Sequence, residues 1–93
     1  MNNSEWSELK RESNLSKHYL DFIDAIKIFE DNNRIEAQDN RKNYSEIRYQ
    51  TIGKVNDIII FVVWTYRKNN KRIISARKAN NNEREKYYEL KNK

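Results

Sequence analysis

The chain has 93 residues, enough for one domain and too few for two, so residues 1–93 are read as a single domain. At this size only about 60–65% of the unfolded surface is buried, so the core is small and a site is expected to be a shallow groove. The balance of 19 Lys and Arg against 14 Asp and Glu gives a net charge of +5, which favours polyanionic partners, nucleic acid first and an anionic membrane surface second.

Cysteine is absent, which excludes disulfides, zinc-thiolate sites and cysteine nucleophiles. His18 is the only histidine, so a histidine metal site or a Ser-His-Asp triad has at most one candidate imidazole. No run approaches the ~18 apolar residues of a membrane span. Residues 1–20 are polar and mixed in charge, unlike a signal peptide, and the expected compartment is the cytoplasm.

In chain order, residues 1–6 are polar apart from Trp6 and read as a short extended arm. A helix is expected from Ser7, its cap, to Lys17-His18, where cations favour a helix C-terminus. In residues 21–31, Phe22, Ala25, Ile26 and Phe29 fall at i, i+3, i+4 and i+7, which predicts an amphipathic helix capped by Asp21. Arg34–Asp39 is a candidate edge strand and the polar run Asn40–Asn43 a turn. Glu46–Val55 alternates, with Ile47, Tyr49 and Thr51 on one side and Glu46, Arg48 and Gln50 on the other, as in a half-buried strand. Gly53, the only glycine, precedes a turn at Asn56-Asp57.

Asp57–Arg67 is apolar on both faces and reads as the central strand. Lys68–Lys71 is a hairpin turn, and Arg72–Lys78 returns beside the central strand. Asn80 followed by Glu83 resembles an N-cap with its capping glutamate, so a helix is expected over 81–90. The fold class is α+β: two N-terminal helices packed on an antiparallel sheet of about four strands, with a C-terminal helix.

The stretch Arg72-Ile73-Ile74-Ser75-Ala76-Arg77-Lys78-Ala79, followed by Glu83-Arg84 and Tyr87, is the most specific part of a wider pattern. That pattern also includes Asn14, Lys17-His18, Phe22, Ala25, Phe29, Asp31, Asp39, Tyr44, Glu46 and Arg48. With these residues the chain resembles the BrnT toxins of bacterial type II toxin–antitoxin modules, small ribonucleases with a RelE-like fold. It departs from them at Tyr19 and Ser45, where members usually carry glycine; a tyrosine should resist the left-handed conformation of a helix end.

The resemblance implies an RNA-cleaving toxin that stalls translation. It also implies neutralisation by a BrnA-type antitoxin with a ribbon-helix-helix DNA-binding domain, in a 2:2 complex that reaches operator DNA through the antitoxin. No membrane and no cofactor are implied. A non-catalytic RNA- or DNA-binding module, or an antitoxin-binding protein without activity, is the alternative.

RNA can be cut without metal because its own 2′-hydroxyl attacks the adjacent phosphate. The protein must orient that hydroxyl, take its proton, stabilise the charged transition state and protonate the leaving oxygen. Arg77 is the first candidate for the scissile phosphate, through a bidentate guanidinium contact; its bland alternative is an ion pair with Glu83 or Glu85. Arg48 is a second candidate, against a cross-strand ion pair. Glu46 is a general base or, preferably, the residue that orients Arg48. His18 is an acid or base by its ordinary pKa, or a helix cap.

Arg72, Lys71 and Lys78 are candidate RNA-binding charges, although regular alternation puts Arg72 on the face opposite Arg77. Tyr87 is a candidate base-stacking ring, and Tyr87, Tyr88 and Trp64 all have core packing as the competing reading. The carboxylates of Asp21, Asp24, Glu30 and Asp31 read better as a solvated helix face than as a metal site.

Overall fold

The computed structural model describes residues 3–41 and 45–91; Tyr44, one of the residues carrying the resemblance, lies outside them. In chain order the elements are β1 (Ser4–Glu5), α1 (Glu8–His18), α2 (Phe22–Ala25) and a 3-10 segment (Ile26–Glu30). They continue with β2 (Ile35–Asp39), β3 (Arg48–Val55), β4 (Ile58–Arg67), β5 (Asn70–Lys78) and α3 (Asn81–Lys91). The strands form one sheet in the order β1-β5-β4-β3-β2.

Strands β2 to β5 make the expected antiparallel meander. The sheet is nevertheless five-stranded and mixed rather than four-stranded and antiparallel, because Ser4 and Glu5 pair in parallel with Lys71 and Arg72. A two-residue polar strand is too short to have a period that reveals it.

Central β4 explains its own composition. Ile60, Val62 and Trp64 pack on one face with Phe22, Ala25, Ile28, Val55, Ile73 and Ala76. Ile59, Phe61 and Val63 pack on the other with Ile52, Ala79 and Tyr87 of α3. The helices are thus divided between the two faces. On the α3 face the strands also carry the polar residues described below.

The segment expected as one α-helix over 21–31 is a single α-turn followed by 3-10 structure. Its fully buried residues are Phe22, Ala25 and Ile28, a spacing of three, while Ile26 and Phe29 are only partly buried. That spacing suits a 3-10 helix, in which i and i+3 eclipse. Ile28 packs over Gly53: a Cβ there would lie 2.6 Å from Ile28 Cγ1. The glycine therefore permits a close approach inside β3 rather than marking the nearby turn.

Helix α1 begins as expected, with Ser7 Oγ accepting from the Lys10 N–H. Its end contradicts the expectation for Tyr19, which does adopt the left-handed conformation, φ 57°, and donates its N–H to the Leu15 carbonyl. Buried Asn14 fastens α1 to the sheet. Its Nδ2 donates to the carbonyls of Leu20 and Ala76, and its Oδ1 accepts from the Ala76 N–H. Asn14 thereby closes the outer edge of β5 where two-residue β1 does not reach. The turns at Asn56-Asp57 and Lys68-Asn69 both have two positive φ values, the pattern of two-residue type I′ hairpins.

Candidate nucleic-acid interface

The pairing of β4 with β5 is irregular. Val63 faces Ser75 and Trp64 faces Ile73, which leaves Ile74 as an extra residue in a β-bulge. Beyond it the alternation is reset. Arg72 lies opposite Thr65 and Arg77 opposite Phe61, and these two partners, four apart on β4, share a face. Arg72 and Arg77 are therefore on the same face, correcting the expectation for a regular strand. Their backbones stand about 13 Å apart along the sheet, at ~3.3 Å per residue.

A transverse row crosses the entire sheet on this face. Asp39 of β2 is opposite Arg48 of β3, Arg48 opposite Thr65 of β4, Thr65 opposite Arg72 of β5, and Arg72 beside Glu5 of β1. Arg72 Nη1 donates to Glu5 Oε2 at 2.8 Å, and hydrogen bonds from Asn70 and Arg72 hold the Glu5 carboxyl below its usual range. Arg48 Nε donates to Glu46 Oε2 at 3.2 Å, a partner two residues earlier in the chain. Thr65 Oγ1 donates to the Ile47 carbonyl. The row has a carboxylate at either end and two arginines inside, with neutral Thr65 between them.

Arg77 belongs to a second cluster on the same face. Its Nη1 and Nη2 donate to both oxygens of Glu83 at 2.8 and 2.9 Å, the ion pair named as its alternative. Glu83 is the capping glutamate of α3, accepting from the Asn80 N–H while Asn80 Oδ1 accepts from the Glu83 N–H. The Arg77 guanidinium lies 4.3 Å from the Phe61 ring centroid, and that of Arg41 lies 5.8 Å from the same ring. Arg41 Nε and Nη2 each donate to the Asp39 carboxylate at 2.8 Å. These bonds outweigh burial and hold the Asp39 carboxyl down at about 2. Arg41 sits in the run read only as a polar turn; nothing in its spacing announced it.

The other candidates fall elsewhere. Lys71 is paired with Tyr66 on the opposite face, its ammonium 5.1 Å from Phe29, 5.4 Å from Trp64 and 5.8 Å from Tyr66 ring centroids. Exposed Lys78 pairs with Ile60 and is directed to that same opposite face. Tyr87 is buried, with its hydroxyl donating to Asp31 Oδ2 at 2.7 Å. Burial and that carboxylate push its pKa up to about 12. Its ring is core, as the competing reading had it, and is not offered to a base. Trp64 is core as well, its Nε1 donating to Thr51 Oγ1.

His18 ends α1 and lines a groove of about 230 Å3 between α1 and β5, together with Lys10, Ser13, Lys17 and Ser75. It stands at the border of the arginine face rather than within the row. Of the carboxylates set aside as metal ligands, Asp21 pairs with Arg11, Asp31 accepts from Lys54 N–H and Tyr87, and Asp24 makes an exposed pair with Lys27.

No helix among the described residues is long and apolar enough to cross a membrane. No curated protein sequence matches the chain. The sequence model of one family, described as the ribonuclease toxin BrnT of type II toxin–antitoxin systems, matches residues 6–83. The match runs from Trp6, through α1 and all four strands of the meander, to the capping glutamate Glu83. The chain belongs to the BrnT family of ribonuclease toxins of type II toxin–antitoxin systems.

Proposed function

We propose that the chain cleaves RNA on the arginine-bearing part of its sheet beside α3, without a metal ion. The observation carrying this reading is the row Asp39–Arg48–Thr65–Arg72–Glu5, joined on the same face by Arg77. It sets three guanidinium groups along a shallow surface suited to a phosphodiester backbone. Arg48 and Arg77 hold the phosphate under attack and offset the charge that builds on it. Arg72 binds a neighbouring part of the strand.

Glu46 orients Arg48, and among the described residues Glu46 and His18 are the candidates for proton transfer from the 2′-hydroxyl or to the leaving oxygen. Lys71, Lys78 and Tyr87 have no part in this reading, because two are directed to the other face and the third is buried.

The same reading includes a RelE-like fold as one domain, arrest of translation in the bacterial cytoplasm, and neutralisation by an antitoxin. The antitoxin is taken to be of BrnA type, with a ribbon-helix-helix domain that binds operator DNA, in a 2:2 complex. The test is induced expression of wild type and Arg77→Ala without antitoxin, following growth and total RNA integrity. Arrest with RNA decay in the wild type, lost in a folded variant, is the expected result. Normal growth with intact RNA in the wild type overturns the reading and leaves a binding protein without activity.

A further inference from the structure

Arg41 and Arg77 come from different parts of the chain, one from the segment after β2 and the other from β5, and meet over one aromatic ring. Their guanidinium carbons lie 5.8 and 4.3 Å from the centroid of Phe61, which is itself buried in the α3 side of the core. Behind Arg41, the Asp39 side chain is fully buried and takes two of its N–H donors and its backbone N–H. Arg41 is thus aimed by a fixed carboxylate, although its own side chain is 55% exposed.

The group already seated on Arg77 is an anion. Glu83 takes a bidentate fork from Arg77 and the Asn80 N–H at 2.9 Å. Burial raises its carboxyl, but the Arg77 and Asn80 hydrogen bonds and the charges of Arg77 and Arg41 together bring it below its usual range. The planar guanidinium fork has the same fit for carboxylate and phosphate oxygens. A place dimensioned for the one is dimensioned for the other.

We infer that Arg41 and Arg77 form a two-arginine site on Phe61 for one backbone phosphate of RNA, and that the Glu83 carboxylate occupies this site until the phosphate displaces it. The inference rests on the ribonuclease reading and adds to it a further phosphate ligand, Arg41, an internal competitor, Glu83, and a positioning residue, Asp39. Glu83→Gln keeps an oxygen for the Asn80 N–H, and glutamine serves in the same capping position. It removes the negative charge with which an incoming phosphate competes and replaces one of the two oxygens that accept from Arg77 with an amide NH2 donor.

The experiment measures binding of a 2′-O-methyl single-stranded RNA, which has no free 2′-hydroxyl, over a range of salt concentrations. Arg41→Gln is expected to weaken binding about tenfold, the loss of one charged contact, and to lower the salt slope by about 0.7. Glu83→Gln is expected to strengthen binding, a gain that no unfolding can produce. Wild-type affinity and slope in Arg41→Gln, or no gain in Glu83→Gln, overturns the site.

Cleavage of unmodified RNA by the same proteins separates the two readings. Cleavage with Arg41-independent binding leaves the ribonuclease and removes this site. Arg41-dependent binding without cleavage by the wild type leaves the site and removes the ribonuclease. No binding by the wild type removes both.

Discussion

Arg72 and Arg77 share one face of the sheet although they stand five positions apart on the same strand, because Ile74 is extruded from the ladder between them. The same register sends Lys71, adjacent to Arg72, to the opposite face and into a cluster of three aromatic rings. Neighbouring cations therefore have unrelated tasks. Arg72→Ala is expected to lower RNA affinity and to reduce the salt slope by about 0.7. Lys71→Ala is expected to leave RNA binding alone and cost about 0.5–1 kcal/mol of stability through the lost cation–π contacts. Binding titrations and urea unfolding of both variants decide it; equal loss of RNA affinity in the two would sink the assignment of faces.

This pair also marks the limit of what the sequence makes legible. The apolar run of β4, the Ser7 cap and the Asn80–Glu83 box each carry their signal locally, and each stands where expected. The bulge at Ile74 does not, because no glycine or change of pattern accompanies it and only the partner strand defines the register. Ser4 and Glu5 make a strand too short for any periodicity to mark it. Arg41 becomes significant only when the chain brings it over Phe61, a residue twenty positions away in β4. Lys71, Lys78 and Tyr87 have the right chemistry for RNA, and only their direction in the fold separates them from Arg72 and Arg77.

Asp39 connects the arginine face to acid stability. Its folded pKa of about 2 lies below the ordinary 3.8, so its contribution is present above about pH 4 and is lost as pH falls through about 2. With allowance for screening at the exposed Arg41, that contribution is about 1–2 kcal/mol. Asp39→Asn should therefore be less stable than the wild type at neutral pH by this amount. The gap should close as the pH is lowered through that window. Urea midpoints across the range measure it, and a gap that stays constant with pH would show that the carboxylate charge is not what stabilises this corner.

Gly53 owes its place to Ile28. A methyl group there would meet Ile28 Cγ1 at 2.6 Å, and both Ile28 Cδ1 and Arg34 Cβ at 3.2 Å. Ile28 is completely buried and has little room to retreat. The backbone of Gly53 is not in the left-handed region, so the obstacle is steric rather than conformational. Gly53→Ala should cost about 1–3 kcal/mol, the usual range for overpacking. A loss of that size in denaturant unfolding supports the account; an unchanged midpoint would mean that the 3-10 segment lifts away from β3 at no cost.

Tyr19 is the opposite case, a side chain whose backbone prefers glycine. It holds φ 57° at the end of α1 while 85% of its surface is exposed. A left-handed conformation costs a non-glycine residue about 1–2 kcal/mol, and almost no burial offsets it here. Glycine would relieve that strain but add freedom to the unfolded chain, which returns part of the gain. Tyr19→Gly should therefore stabilise the protein by up to about 1 kcal/mol, with an unchanged dependence on denaturant. The Tyr19 N–H bond to Leu15 that closes the helix comes from the backbone and is kept. A loss of stability instead would show that the tyrosine ring packs in the fold more than its exposure indicates.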